Sequence, residues 1–419
     1  MLGGRRFRVE FTDEQAAFAE QIGAVCRAVW NTGLEQRRDY RRRGAWINYE
    51  QQAHELVDAK KEHTWLSEAP SHCLQQALRD LDEACRRHGT FNVRWRSARR
   101  WTPSFRFPEG AKMEIEKLNR HKSQVNLPKL GWVKFRASRG LEGETIRSAT
   151  LTREGKHWFV SLLVDDAITT PAEHASPGTA VGVDRGVVVA VATSAGDLFN
   201  QVFTTPGEQR HAVRLQRKLS RAAKGGSANR NKTRDALGKV RARERRRRQD
   251  FCVKTAHRLA HNNAVVVLEK LPVGSMTRRA QAVVDPAQPG QYLPNGGSAK
   301  SGLNRAILSK GWYHIEEALK SVSRYSGTQV VKVPAAFTSQ RCSACGHVDP
   351  KSRESQAVFR CTHCLRPAEH ADVNAAKNIL AAGLLAVSAC GDDPLPAGDG
   401  ESSKQEPAGN REELLLQPT

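Results

Sequence analysis

The sequence predicts a multidomain α+β protein, and three observations carry this prediction. The chain has 419 residues, which is more than one ordinary hydrophobic core accommodates and favours two or three domains. Apolar residues recur first with the period of helices, then with that of short strands, and then as β-branched runs typical of a central sheet. Four cysteines near the carboxyl end are spaced as metal ligands. We therefore expect helical, β and mixed α/β portions in one chain.

The strong positive charge of the chain indicates a polyanionic partner. Lys and Arg number 66 against 44 Asp and Glu, which leaves a net charge of +22, so nucleic acid is the leading candidate. A membrane is disfavoured, because no stretch approaches the roughly 18 apolar residues of a spanning helix. The first residues lack a secretory signal, so we expect a reducing, cytoplasmic compartment. There, nine cysteines favour metal ligands over disulfides.

The first half of the chain changes from strand to helix and back to strand. Residues 5–11, RRFRVEF, alternate basic and apolar side chains, as in a strand with one wet face. Residues 13–89 predict a small helical bundle, since Leu74, Leu78, Leu81 and Cys85 recur at three- and four-residue spacing. From Trp101 to Asp165 the pattern changes to short strands broken by Gly and Pro, which predict a small β-barrel. We expect the first strand to return to that barrel.

The second half follows a proline-rich hinge and contains two apolar strand patterns. TAVGVDRGVVVAVAT predicts one long central strand, and NNAVVVLEKL predicts a second buried strand. Between Arg210 and Arg248, sixteen Lys and Arg face only two acidic residues, which predicts two basic helices joined by a glycine turn. Residues 280–302 read as a mobile loop. Residues 391–419, with seven acidic and two basic residues, predict a disordered acidic tail.

Four cysteines form the pattern C-x2-C-x15-C-x2-C. Each C-x2-C turn can place two thiolates on one side of a tetrahedral ion, whereas four unrelated core thiols rarely share such spacing. The predicted zinc ligands are Cys342, Cys345, Cys361 and Cys364. Four thiolates fill the coordination shell, so this zinc is structural. The remaining cysteines lack the spacing and are predicted to be core or surface thiols: Cys26, Cys73, Cys85, Cys252 and Cys390.

Three carboxylates are candidate ligands of a catalytic metal. Asp184 lies in the first apolar strand pattern, Glu269 closes the second, and Asp372 precedes the helical pattern VNAAKNILAAGLL. Each also has a structural explanation: Asp184 can pair with Arg185, Glu269 can be a solvated strand end, and Asp372 can be a helix N-cap. Together they can converge at one sheet edge and hold two Mg²⁺ ions about 4 Å apart, which activate water and stabilise the leaving oxygen of a phosphodiester. This is the arrangement of an RNase H-type nuclease.

Several motifs, in their order along residues 5–385, resemble the TnpB family of transposon-encoded, RNA-guided DNA nucleases. They are VWNTGLEQRRDYRRR, LSEAPSHCLQQALRDLDEA, LPKLGWVKFR, GVDRG, RRRRQDF, VLEKL, FTSQRCSACG and DVNAAKNI. The resemblance implies a β-barrel wedge domain with an inserted helical recognition domain, followed by an RNase H-like (RuvC) nuclease domain with an embedded zinc ribbon. The corresponding segments are 1–12 with 99–170, then 13–98, then 178–338 with 366–390, and finally 339–365.

The resemblance also implies partners and site residues. Asp184, Glu269 and Asp372 correspond to the family's metal-binding triad, which implies Mg²⁺ at the catalytic site, a guide RNA and double-stranded target DNA. It further implies a cytoplasmic, nucleoid-associated prokaryotic protein, whereas its oligomeric state is unknown from the sequence. The chain departs from the family at His370, where members commonly have a further acidic residue.

Two candidate nucleic-acid surfaces follow. Tyr49, Ser71 and Gln75 fall where family members contact the DNA motif that flanks the target, and Gln can read adenine edges; a solvated helix face explains them equally well. The basic helices are a candidate surface for guide RNA or the guide–target hybrid. The residues named on that surface are Arg217, Lys218, Arg221 and Lys224.

Three other functions stay open at this point. A compact type V CRISPR effector shares the nuclease core and differs in its genomic neighbourhood. An RNA-guided protein that represses without cutting would need no intact triad. A resolvase or transposase that acts without a guide would carry no bound RNA.

Overall fold

The computed structural model describes residues 1–98, 101–141, 143–222, 227–288, 290–364 and 366–389. Contacts divide the chain into two compact units. The first unit comprises Met1–His174, Val202–Phe251 and Ser321–Gly327, and the second comprises Ala175–Gln201, Cys252–Lys320 and the chain from Thr328 onward. The predicted acidic tail, 391–419, and Cys390 lie outside the described residues.

A helical bundle forms in the first unit, as the sequence predicts. Its helices are α1 (Asp13–Arg42), α2 (Tyr49–Glu62), α3 (Thr64–Glu68) and α4 (Ser71–His88). Capping boxes start α1 and α2: the side chains of Thr12 and Asn48 accept from backbone N–H groups three residues on, and Gln15 and Gln51 bond back. The apolar face predicted for α4 is buried, since Leu74, Leu78, Leu81 and Cys85 are all at most 3 % exposed.

The same unit contains a seven-stranded antiparallel sheet. Its strands are β1 (Leu2–Glu10), β2 (Ser104–Phe107), β3 (Ile115–Asn119), β4 (Lys122–Leu127), β5 (Gly131–Arg136), β6 (Thr145–Glu154) and β7 (His157–Asp165), in the order β2-β6-β7-β1-β5-β4-β3. The first strand returns to this sheet as predicted, because β1 pairs with both β7 and β5.

The predicted β-barrel is not closed. Strands β2 and β3 are the two ends of the strand order and form no ladder with each other in the described part of the chain. They are only four and five residues long, so they offer few backbone hydrogen bonds with which to close a barrel. The observed element is an open antiparallel sheet.

Two basic helices, α5 (Pro206–Arg221) and α6 (Ala228–Asn262), lie where the charge run predicts them. Thr205 caps α5, and Glu208 joins the two helices by accepting from Arg243 at 2.7 Å and from Arg247 at 2.6 Å. The side chains of Arg217, Lys218 and Arg221 are exposed on α5. Lys224 lies outside the described residues.

The second unit is built on a five-stranded sheet with the order β10-β9-β8-β11-β14. Its elements in chain order are β8 (Ala180–Asp184), β9 (Val191–Thr193), β10 (Leu198–Phe199), β11 (Val265–Glu269), α7 (Val273–Met276), β12 (Val283–Val284), β13 (Tyr292–Leu293), α8 (Gly297–Lys310), α9 (Trp312–Ser326), β14 (Gln329–Val333), β15 (Val358–Phe359), β16 (Glu369–His370) and α10 (Ala371–Ala389). Strand β11 runs parallel to β8 and to β14.

The prediction of one long strand through TAVGVDRGVVVAVAT is wrong. Strand β8 ends at Asp184, the chain turns, and β9 returns antiparallel with Ala192 opposite Asp184. Gly186 permits this tight turn, since a Cβ there would lie 2.7 Å from the carbonyl oxygen of Val189. Asp184 therefore lies at the carboxyl end of a strand and not within one.

The segment 280–302, predicted to be a mobile loop, contains regular secondary structure in its described residues, and its mobility stays a prediction. Residues Val283–Val284 and Tyr292–Leu293 form a two-stranded hairpin, and α8 begins at Gly297. In the described residues, no helix is long and apolar enough to cross a membrane.

Helix α10 packs so closely on the sheet that two glycines are required. A Cβ at Gly182 in β8 would lie 2.0 Å from the carbonyl oxygen of Ala376, and one at Gly383 in α10 would lie 2.4 Å from Val267. These approaches bring the start of α10 against the end of β8.

Replacing Gly182 with alanine is therefore expected to destabilise the protein by about 3 kcal/mol, the upper range for overpacking, because a backbone atom cannot rotate away. Gly238→Ala is the matched control: its Cβ meets nothing within 4 Å and it lies inside α6, so it should stabilise by about 0.5–1 kcal/mol. Urea denaturation measures both. Equal effects of the two substitutions would contradict the packing described here.

Candidate active site

Asp184 and Glu269 end neighbouring parallel strands at the same sheet edge. Val183 of β8 pairs with Leu268 of β11, so the next residue on each strand carries a carboxylate at the strand's carboxyl end. This edge is where ligands bind in sheets with parallel strands. Asp372 lies in the first turn of α10, the helix that packs on β8. The structure thus brings the three predicted residues to one place.

The carboxylates act on one another. Burial, together with the negative charges of Glu269 and Asp372, raises the pKa of Asp184 to about 7. Burial also raises the pKa of Glu269, opposed by a hydrogen bond from Thr338 and by the charge of Arg185. Glu269 and Asp372 are 7 % and 5 % exposed. Such crowding of buried negative charge is a property of sites that bind cations.

The carboxylates are less tightly grouped than the four cysteines. Among the described residues, the four cysteines are the only group of three or more candidate ligands whose ligand atoms all lie within 4.8 Å of one another. The three carboxylates are therefore more widely spaced than ligands that close around one ion. Mg²⁺ keeps several waters and takes one or two carboxylates per ion, so this donor set fits it.

Neighbouring side chains hold the acidic residues in place. The Thr338 hydroxyl donates to Glu269 Oε1. Arg353 Nη2 lies 3.0 Å from Asp372 Oδ1 in an ion pair. His370 stands where the sequence resemblance leads one to expect an acidic residue. Its Nδ1 accepts a hydrogen bond from the backbone N–H of Asp372 at 3.3 Å, so this side chain bonds to the start of α10.

A metal-free stability measurement tests the environment of Asp184. The pKa of Asp184 is about 7 in the folded protein and 3.8 for an ordinary aspartate. The ionised carboxylate therefore lowers the free energy of unfolding of the metal-free protein. This loss is complete above about pH 7 and absent below about pH 4, where the group is protonated in both states. This shift corresponds to roughly 4 kcal/mol at about 1.4 kcal/mol per tenfold change in proton affinity. Asp184→Asn should therefore be more stable than the wild type at pH 8 without metal, with the difference vanishing near pH 4.

Urea denaturation at both pH values checks this expectation. Mg²⁺ should stabilise the wild type at pH 8 and leave the Asp184→Asn protein nearly unchanged. A constant difference between the two proteins from pH 4 to pH 8 would contradict the assigned environment.

The four predicted cysteines converge. Their sulfur atoms all lie within 4.8 Å of one another, with 3.7 Å between Cys342 and Cys364 and 3.7 Å between Cys345 and Cys361. Backbone N–H groups of Cys364 and His363 donate to Cys361 Sγ at 3.4 Å and lower the pKa of that thiol to about 6. Four thiolates in this arrangement are a site of the kind that binds zinc. The described cysteines outside the cluster, Cys26, Cys73, Cys85 and Cys252, are buried thiols.

Two buried asparagines join the cysteine cluster to α10. Asn374 accepts from the backbone N–H of Ser343 at 2.9 Å and donates to the carbonyl of Arg341 at 2.8 Å. Asn378 donates to the carbonyls of Thr338 at 2.9 Å and Arg341 at 2.7 Å. The N-x3-N spacing in DVNAAKNI therefore fixes the chain that enters the cluster. In the sequence, the polar residues on the apolar face of the predicted helix were the signal that could have revealed these contacts. No sequence signal pointed to Arg353.

The residues predicted to contact flanking DNA share one side of the helical bundle. Ser71, Gln75 and Arg79 are spaced by four on α4, and the Arg79 guanidinium lies 5.0 Å from the ring centroid of Tyr49. Ser71 Oγ accepts from Lys60 Nζ at 2.5 Å. Their arrangement is compatible with a nucleic-acid contact, and their role stays a prediction.

Comparisons with known proteins show which family models and relatives the chain resembles. Family models match it in three stretches: one described as "Helix-turn-helix domain" over residues 1–45, one as "Probable transposase" over 161–280, and one as "Cas12f1-like, TNB domain" over 312–379. The chain is 35% identical to the "Putative RNA-guided DNA endonuclease InsQ" of Escherichia coli K12, and 96% of each chain is covered. It is also 35% identical to a "Putative RNA-guided DNA endonuclease" of Streptomyces pristinaespiralis, again over 96% of each chain.

A solved structure supports the fold. The structure of a Cas12f1–sgRNA–target DNA complex matches with a TM-score of 0.56 at 15% identity, covering 88% of this chain and 83% of that one. The fold is therefore a mixed α/β fold of the Cas12 type. With two relatives above 30% identity over nearly the whole length, the chain belongs to the TnpB family, as the sequence motifs predicted.

Proposed function

We propose that this protein is a transposon-encoded, RNA-guided DNA endonuclease that cleaves target DNA beside a short flanking motif. The observation that carries the proposal is the meeting of Asp184, Glu269 and Asp372 at one sheet edge. Its support is that relatives matched over 96% of their length are named putative RNA-guided DNA endonucleases.

Different residues of the site would have different roles in catalysis. Asp184, Glu269 and Asp372 would hold Mg²⁺, most simply as two ions, which supply Lewis acidity for phosphodiester hydrolysis. Thr338 holds one Glu269 oxygen, which leaves the other free to bind a cation. The guanidinium of Arg353 brings a positive charge to the same site and can bind a phosphate oxygen of the DNA strand. The cysteine cluster would hold a structural zinc that folds the segment carrying Arg353.

The remaining parts would hold and position nucleic acid. The antiparallel sheet and helical bundle correspond to the wedge and recognition domains, with Tyr49, Ser71 and Gln75 facing the flanking motif. The basic helices, including Arg217, Lys218 and Arg221, would contact the backbone of guide RNA or of the hybrid. Sequence would be read by base pairing with the guide, and the protein would bind by shape and charge.

The proposal is tested by purifying the protein from its native locus and sequencing the bound RNA. The complex is then given a plasmid that carries the guide-matched target beside a randomised flank, with Mg²⁺. We expect one RNA species ending in a variable guide, and cleavage restricted to one flanking motif. A protein that carries no RNA, or that cuts regardless of the guide, would refute RNA guidance.

Replacing Arg353 with alanine is expected to lower the cleavage rate by about ten- to a hundredfold, the range for loss of a residue beside a metal ligand. Arg353→Lys should retain part of the activity, because it keeps the charge but not the planar fork. Single-turnover cleavage at saturating target measures both. Arg360→Ala is the control, since this arginine of the same segment forms its ion pair among the described residues with exposed Glu354. Equal losses at the two positions would contradict a role specific to Arg353.

A compact CRISPR effector is the second candidate. It is favoured by 40% identity over 76 residues to the Cas12f1 nuclease of Sulfoacidibacillus thermotolerans, but that match covers 18% of each chain. The match over 96% of each chain to two putative RNA-guided DNA endonucleases, together with the "Probable transposase" model over residues 161–280, favours the first candidate. The DNA around the gene distinguishes them, since a repeat array would indicate CRISPR and a transposon end would indicate TnpB.

A further inference from the structure

We propose that Arg185 is a positioning residue that fixes the backbone of Glu269, and that Glu316 holds Arg185 in place. The inference rests on the proposed function and deepens it. Arg185 directly follows Asp184, so the sequence suggested only that the two would pair. The structure assigns it another partner: Arg185 Nη2 donates to the main-chain carbonyl of Glu269 on the neighbouring strand.

The carbonyl of Glu269 lies where the sheet ladder ends. The pairing between β8 and β11 stops at Val183 and Leu268, and β8 turns away after Asp184. No further strand residue of β8 is therefore present to donate to that carbonyl. The guanidinium of Arg185 takes the place of the missing strand N–H, alongside the N–H of Leu271 at 3.1 Å. It thereby fixes the direction in which β11 presents the Glu269 side chain.

Burying the positively charged Arg185 side chain costs free energy unless a negative charge lies beside it. The residue is 4 % exposed, and its Nε finds no hydrogen-bond partner among the described residues. A buried guanidinium that served only folding could be replaced by an apolar side chain at little cost. Its burial beside two carboxylates, with a hydrogen bond to the backbone of one of them, is what a positional role requires.

Glu316 on α9 supplies the counter-charge. Its Oε2 lies 3.4 Å from Arg185 Nη1, and its Oε1 pairs with Lys332 and with Lys320. One turn earlier on α9, Trp312 Nε1 donates to the carbonyl of Gly186 at 3.2 Å. Helix α9 therefore holds the two residues that follow Asp184, and through Arg185 it holds Glu269.

The test separates a positioning role from a structural ion pair. The variants are Arg185→Met, Glu316→Gln, the double variant and, as control, Lys320→Met, which removes a cation that pairs with Glu316 Oε1, the oxygen opposite the one that faces Arg185. Each is assayed as the full-length complex with its guide RNA. The readouts are the unfolding midpoint, target binding, the single-turnover cleavage rate and the Mg²⁺ concentration for half-maximal cleavage.

We expect Arg185→Met to lower cleavage by about ten- to a hundredfold and to raise the half-maximal Mg²⁺ concentration, with target binding unchanged within about twofold. The double variant should not regain cleavage, because removing Glu316 restores no donor to the Glu269 carbonyl, and its unfolding midpoint should stay below that of the wild type, since Lys332 and Lys320 also lose Glu316. Lys320→Met should cleave like the wild type. Recovery of cleavage in the double variant, or full activity of Arg185→Met, would overturn the inference.

A binding measurement keeps this test separate from the proposed function. If the wild type does not cut, the endonuclease proposal fails, but calorimetric titration with Mn²⁺ still compares the proteins. Weaker Mn²⁺ binding by Arg185→Met and by the double variant supports positioning of Glu269. Binding equal to that of the wild type overturns it.

Discussion

Replacing Asp184 with alanine is expected to abolish cleavage of guide-matched DNA, lowering the rate by at least about a hundredfold, while guide RNA and target stay bound. Loss of a residue that only supports a metal ligand already costs about ten- to a hundredfold, and Asp184 is proposed as a ligand itself. Nucleic-acid binding is proposed to depend on other, basic surfaces, so it should persist. Gel-shift and single-turnover cleavage assays on the same preparation separate the two properties.

The control is Asp13→Ala, which removes an exposed acidic side chain from the first turn of α1. It should cut at the wild-type rate. The single variants Glu269→Gln and Asp372→Asn should resemble Asp184→Ala, and combining them should cost little more, because residues that act as a unit are not additive. Cleavage that survives Asp184→Ala would remove this residue from the mechanism.

Replacing Cys345 with serine is expected to remove bound zinc and, with it, cleavage. Structural zinc contributes on the order of 10 kcal/mol to the folding of small zinc-binding domains. With zinc bound, the cluster would hold the segment that carries Thr338 and Arg353, which contact Glu269 and Asp372. Elemental analysis should find about one zinc per wild-type chain and far less in the variant, and the unfolding midpoint should fall.

Cys26→Ala is the matched control, because Cys26 is a buried thiol outside the cluster. It should keep its zinc and its cleavage, whatever its effect on stability. Unchanged metal content in Cys345→Ser would refute the zinc site. Lost zinc with intact cleavage would show that the cluster does not position Thr338 and Arg353.

Local patterns in the sequence were sufficient for much of the site. The cysteine spacing identified a cluster whose sulfur atoms do meet, and the apolar strand patterns located Asp184 and Glu269, which end adjacent parallel strands. The helical period of α4 identified its buried face, and the charge run identified two helices. Each of these depends on residues near one another in the chain, where periodicity and spacing carry the information.

Longer-range features were decided by the tertiary structure alone. The turn after Asp184 contradicts the predicted long strand, and the unpaired edge strands contradict the predicted barrel. A run of β-branched residues predicts a strand but does not predict which other strand it pairs with. Arg185 meets Glu316 across 131 positions, and Thr338 meets Glu269 across 69. No spacing rule predicts such contacts, because each arises only when packed strands and helices bring distant backbones together. The sequence by itself thus determined which chemical groups are available, and packing decided which of them touch.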